Sequence, residues 1–246
     1  MSDFVYSAEA ITQHMIKVLV EIRPPLLLGS DRTQLQDYAN WLIETHSEAF
    51  ETLVSSPQQV RVNKGFSVGG RVAEVATFMM TPRGPLFQFP RRLFVGRRVE
   101  VETLDTDAII RSVLTRLGTE CLDRIAGRVC LVHEMIFHAG SQPSLDVVKS
   151  NLSPDRQGPE ISNVRLGLEM VRDNKVIAYD IRPAYLSPKP SQAQSEGGHY
   201  GILVNVEIRA TGVGKQGVSL EQIDDLLAFS RYYVPTEMVD FLNQGN

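Results

Sequence analysis

The residues with the most chemical potential in this chain are histidines, and the densest group is HEMIFH, residues 133 to 138. Two histidines share a zinc ion when they lie four apart on one helical turn with a glutamate between them. His133 and His138 lie five apart, and Val129 to Ala139 reads as a strand, which points the two rings to opposite faces. Glu134 and His138 do fall on one face. They form a candidate ligand-pocket pair, with His199 of the loop-like EGGHYG segment as a third member. His46 lies on the apolar face of a predicted helix and reads as a hydrogen-bonded core histidine, while His14 carries no local motif.

Nucleophile and phosphate motifs are weaker. No G-x-S-x-G occurs, although a serine, histidine and acid could still meet from distant parts of the chain. Gly212, Gly214 and Gly217 match the spacing of a dinucleotide-binding loop. The segment lies too near the chain end to be followed by the second parallel strand and acidic residue that such a loop requires. Lys215 is followed by Gln216, so the phosphate-loop order is not met either. A glycine-rich connection is the expectation. No cofactor, metal or catalytic residue is assigned.

Charge is the most distinctive property. Between Gln59 and Arg98 there are eight cations and one acid, Glu74, a net charge of +7 in a chain whose total is −4; the remaining residues therefore carry −11. Arg61, Lys64, Arg83, Arg91, Arg92, Arg97 and Arg98 are the candidate contacts for an anionic partner, with Phe87, Phe89 and Phe94 interleaved. Arginine beside aromatic rings on a sheet suits phosphates and stacked bases. It equally suits an acidic protein surface, or internal pairing with the excess acids elsewhere.

These residues have to be placed by regular elements. Val18, Val20 and Ile22 alternate with Leu19, Glu21 and Arg23, which predicts a strand with one buried face. Leu35, Tyr38, Ala39, Leu42, Ala49, Phe50 and Leu53 predict a helix from Asp31 to Val54. Short strand patterns follow, with a hairpin at Thr81-Pro82-Arg83-Gly84. An amphipathic helix is predicted from Asp107 to Ile125, with Gly127 past its end. The pattern then restarts: a strand at 129–139, a short helix at 143–152, a strand from Val164, and a two-residue turn at Asp173-Asn174. A further strand follows at Ile202–Ile208, and Ser219 with Gln222 forms a capping box for a helix that Pro235 ends. KVLVEIR at Lys17 and LVNVEIR at Leu203 echo one another.

The expected class is α+β: two tandem β-α-β(3-4)-α units, residues 1–126 and 127–246, or the two fused as one compact domain. The sheets are antiparallel with helices on one face, an arrangement that resembles saddle-shaped and helix-grip folds. The expected function is non-catalytic binding or assembly through the basic region, with a protein partner or self-association. The alternatives are nucleic-acid binding through the same region, and a helix-grip-like small-ligand protein or enzyme with a pocket near the 133–138 strand. No apolar run approaches the roughly 20 residues of a membrane helix. With no secretory leader pattern and only Cys121 and Cys130, both read as buried thiols, a cytoplasmic location is expected.

Overall fold

The computed structural model describes residues 4–25, 32–56, 59–68, 71–94, 98–101, 104–116, 125–139, 148, 165–185, 200–211 and 217–244. The first half runs β1 (Ile11–Arg23), α1 (Arg32–Thr45), β2 (Thr52–Ser56), β3 (Gln59–Val68), β4 (Arg71–Thr81), β5 (Gly84–Phe94), β6 (Arg98–Glu100) and α2 (Thr106–Arg116). The second runs β7 (Ile125–His138), β8 (Leu166–Arg172), β9 (Lys175–Tyr185), β10 (Tyr200–Thr211), α3 (Leu220–Tyr233) and α4 (Glu237–Asn243). The ten strands among the described residues join one sheet in the order β2-β3-β4-β5-β1-β7-β10-β9-β8, with β6 added beside β5. Every pairing is antiparallel. The protein is therefore α+β. Among the described residues no helix is long and apolar enough to cross a membrane.

Alternation decides which face is buried. Val18, Val20 and Ile22 of β1, Phe87 and Phe89 of β5, Leu131, Met135 and Phe137 of β7 and Val204 and Val206 of β10 point to one side and are buried. Leu35 and Leu42 of α1, Ile109 and Val113 of α2 and Leu226 and Leu227 of α3 complete that core. The helices form a row over this face. The Tyr38 hydroxyl donates to the Val113 carbonyl at 2.9 Å, joining α1 to α2. Arg111–Asp224 at 2.5 Å and Arg231–Asp107 at 2.7 Å join α2 to α3. The opposite face of the sheet is open, carrying Lys17, Leu19 and Glu21 from β1 and Glu134 from β7.

Several sequence expectations are met. β1 alternates as read, and the 81–84 segment is a hairpin in which Thr81 pairs with Gly84. Asp173 and Asn174 take φ of 48° and 59°, the two positive values that a tight hairpin needs. Ser219 caps α3: its hydroxyl accepts the Gln222 N–H at 3.2 Å, while the Gln222 side chain accepts the Ser219 N–H at 2.9 Å. Ser219→Ala should cost about 1 kcal/mol of unfolding free energy in urea titration. An unchanged midpoint and slope would contradict that role.

Three expectations are corrected. The first helix stops at Thr45 rather than Val54. Ala49 and Phe50 are buried in a turn instead, and the Glu51 N–H donates to Asn63 at 3.1 Å, opening the β2–β3 pairing. An apolar spacing that looked helical is thus a core-filling turn followed by an edge strand. Ile125 belongs to a strand, where it pairs with Arg23, and not to the preceding helix. The expected one-face burial of the strand from Val164 is also weak. β8 is an edge, so Leu168 is 46% exposed with no strand beyond β8 to cover it among the described residues. The helix expected at 143–152 lies outside the described residues except for Val148, which is helical and fully buried.

Candidate functional site

The basic block is mostly engaged within the fold rather than free. Arg61 on β3 pairs with Glu74 on β4, which also accepts hydrogen bonds from Asn63 at 2.8 Å and from the Thr77 hydroxyl. The Lys64 ammonium donates to the Ser47 carbonyl at 2.9 Å. Arg92 reaches Glu100 at 2.8 Å and the carbonyls of Ala8 and Ile11 at 3.2 and 2.6 Å. Arg91 points to the helix side, donating to the Leu104 carbonyl at 3.2 Å and the Thr106 hydroxyl at 2.7 Å. Only Arg83, at the tip of the β4–β5 hairpin, is exposed without an ion partner among the described residues. Arg97 and the Arg98 side chain lie outside those residues, as does His199.

Arg83 lies at a groove of about 780 Å³ on the open face of the sheet. The hairpin tip is held against β1 by the Ile22 N–H, which donates to the Arg83 carbonyl at 2.8 Å. Arg23 at the end of β1 faces the same groove, and its side chain runs close over Gly127, which leaves room for it. Leu19 and Leu86 provide apolar lining. The other charges there are neutralised locally: Arg128 with Glu21 at 2.9 Å, and Glu207 with Arg209 at 3.4 Å. Cys130 also lines the groove, but burial and the neighbouring Glu207 push its thiol up to about 12, so it is unreactive at neutral pH. Cys121 lies outside the described residues.

The 133–138 strand sorts as its alternation requires. Glu134 and His138 lie on the open side, and Glu134 is paired with Lys17 at 2.6 Å. His133 points into the core. There His14 Nε2 lies 3.1 Å from His133 Nδ1, and His133 Nε2 lies 2.6 Å from the Ser230 hydroxyl on the last turn of α3. Burial, with Arg91 and Arg92 behind it, pushes His14 down to about 4. Burial, then His14 and Arg91, pushes His133 down to about 3. Both rings are neutral at pH 7. The connectivity is that of a serine, a base and an orienting ring, but so weakly basic an imidazole is a poor acceptor for a serine proton. As they stand, the three groups form a neutral polar chain.

A pocket of about 190 Å³ adjoins this chain, lined by Arg91, Asp105, Thr106, Asp107, His133, Ser230 and Arg231 and by the apolar Ile16, Ile110, Leu131 and Leu227. A pocket thus exists beside the 133–138 strand, on the helix side, where it is reached by His133 and not by Glu134 or His138. Sequence motifs missed it because positions 14, 133 and 230 are remote in the chain. One clue was available: His14 and His133 share strand faces with buried Val18 and Leu131, and a histidine on a buried face requires a partner. Among the described residues no group of three or more His, Cys, Asp or Glu side chains could hold a metal ion.

No protein-family model matches this chain, and no curated protein matches it closely enough to count as a relative.

Proposed function

We propose that the protein acts by binding, and that it takes an acidic protein segment in the open-face groove. The observation that carries this reading is the placement of Arg23 and Arg83. They are two guanidiniums facing one groove without ion partners among the described residues, beside the apolar Leu19 and Leu86. Carboxylates from a partner would meet paired donors there, and its aliphatic groups would cover the leucines. Nucleic acid is the weaker reading. A phosphate backbone needs an extended basic track, whereas Arg61, Lys64, Arg91 and Arg92 are engaged within the fold.

The overall plan of the chain supports reading it as two related units meeting at the β1–β7 seam, near the 126/127 boundary. Outward from the seam the strands run β1-β5-β4-β3-β2 on one side and β7-β10-β9-β8 on the other. With the short β6 set aside, each side starts with its earliest strand, then takes its latest, then counts back. The echoing segments of β1 and β10 flank β7 from opposite sides.

Fluorescence anisotropy with a labelled glutamate-rich decapeptide and a single-stranded oligonucleotide tests the groove. The Arg23→Gln/Arg83→Gln double variant should bind the peptide about tenfold more weakly, the loss of roughly 1.4 kcal/mol. Arg165→Gln, a distant exposed arginine paired with Asp180 at 2.6 Å, should bind like the unaltered protein. Equal peptide affinity in the double variant would sink the reading. Tight oligonucleotide binding with a steep salt dependence would replace it with the nucleic-acid one.

A further inference from the structure

We propose that the half-open pocket between the sheet and helices α2 and α3 is a second, separate binding site, one that takes a small carboxylic acid on Arg91. The argument begins with the arginine. A guanidinium drawn out of water is ordinarily matched by a carboxylate. Arg91 is half-buried, yet among the described residues it has no ion partner within 4.0 Å and is held only by the Leu104 carbonyl and the Thr106 hydroxyl. Those bonds leave three of its five N–H groups uncommitted among the described residues. The two acids that favour its charge, Asp107 and Asp105, stand at the start of α2 and line the same cavity, each with another partner. Asp107 is paired with Arg231 at 2.7 Å, and Asp105 accepts the Ala108 N–H at 3.0 Å.

The cavity beside this guanidinium has the shape of a ligand site on a small scale. Its volume of about 190 Å³ equals that of roughly six water molecules. Ile16, Ile110, Leu131 and Leu227 supply apolar walls from four different elements, β1, α2, β7 and α3. The polar lining includes His133 with Ser230, neutral at pH 7, which can exchange a hydrogen bond with a ligand without adding charge, and the Asp107–Arg231 pair with Asp105. The fit is therefore an acid of about ten non-hydrogen atoms or fewer, its carboxylate forked on Arg91 and its aliphatic or aromatic body among the four aliphatic side chains. Asp105 and Asp107 also line the cavity and Arg231 pairs with Asp107, so Arg91 is the cation there that no carboxylate contacts within 4.0 Å among the described residues; the volume excludes a peptide or nucleotide.

The test uses the whole chain and matched probes: isovalerate and benzoate, each against its neutral amide of the same shape. Calorimetry should show both acids binding at least tenfold more tightly than isovaleramide and benzamide. Arg91→Gln should abolish the preference, and Arg23→Gln/Arg83→Gln should leave it intact, which separates this site from the open-face groove. Methyl NMR of the unaltered protein places the ligand without relying on any variant. Shifts at Ile16, Ile110, Leu131 and Leu227 support the site even if Arg91→Gln does not fold. The proposal is overturned if neither acid binds, if acids and amides bind alike, or if Arg91→Gln retains the preference. Shifts at Leu19 and Leu86 in place of the cavity methyls would also overturn it.

Discussion

Lowering the pH from 7.5 to 5.0 should remove about 4 kcal/mol of folding free energy through His14 and His133 alone. In the unfolded chain each imidazole takes a proton near 6.5, whereas in the folded protein they do so only near 4 and near 3. Between those values the unfolded state holds more protons, so stability is fully present above 6.5 and falls as the pH falls towards the folded values. At pH 5.0 each ring stands about 1.5 units below its unfolded value, which is about 2 kcal/mol apiece. The surroundings on balance oppose protonation. Arg91 and Arg92 are cationic, Ser230 is neutral, each ring repels the other once charged, and only Glu100 favours the charged form. Against a typical stability of about 5–15 kcal/mol, the loss is large. Urea titrations at the two pH values measure it, and His14→Gln/His133→Gln should flatten the dependence while lowering stability at pH 7.5. If the double variant does not fold, the imidazole Cε1–H resonances of the folded protein decide the matter. Those of His14 and His133 should move by no more than about a tenth of a full titration between pH 7.5 and 5.0, and titration of either near 6.5 would refute the account.

Gly84→Ala should destabilise the protein by at least about 3 kcal/mol. Gly84 starts β5 at φ +135°, a conformation that side-chain-bearing residues rarely adopt, and a Cβ there would lie 2.1 Å from the Val20 carbonyl oxygen. That oxygen belongs to β1, buried at the centre of the sheet, so relief requires lifting the β4–β5 hairpin away from β1. The same movement displaces Arg83, whose carbonyl is anchored by the Ile22 N–H. Loss of stability and loss of decapeptide binding should therefore appear together. Gly167→Ala is the matched control: nothing lies within 4 Å of a Cβ at that edge-strand position, so its unfolding midpoint should change little. A Gly84→Ala protein as stable as the Gly167→Ala one would mean that the close approach to Val20 is not maintained in solution.

Local rules carried far in this chain because they depend on neighbours a few residues apart. The buried face of β1, the Asp173-Asn174 turn, the 81–84 hairpin and the Ser219–Gln222 cap all follow from side-chain alternation, permissive φ or a three-residue reach. The places where local reading failed are those where a distant partner prevailed. Leu53 continued a helical spacing on paper, yet β3 offered its segment backbone hydrogen bonds and the chain became β2. Ile125 completed an apolar stripe, yet pairing with Arg23 drew it into β7. Leu168 alternated like a buried strand residue, yet its strand lies at the sheet edge.

By itself the sequence determined an α+β protein with a single buried sheet face and a concentration of positive charge between residues 59 and 98, because periodicity and composition are properties of the chain. It could not determine where that charge would point. Tertiary structure turned Arg91 to the helix side, consumed Arg61 and Arg92 in pairs with Glu74 and Glu100, and left Arg83 beside Arg23 at an open groove. It also brought His14, His133 and Ser230 into one hydrogen-bonded chain across 97 and 119 residues of sequence separation. The physical reason is common to both outcomes. Whether a polar group meets water, an ion or another side chain is decided by strand order and helix packing, and these are settled only when the whole sheet has formed.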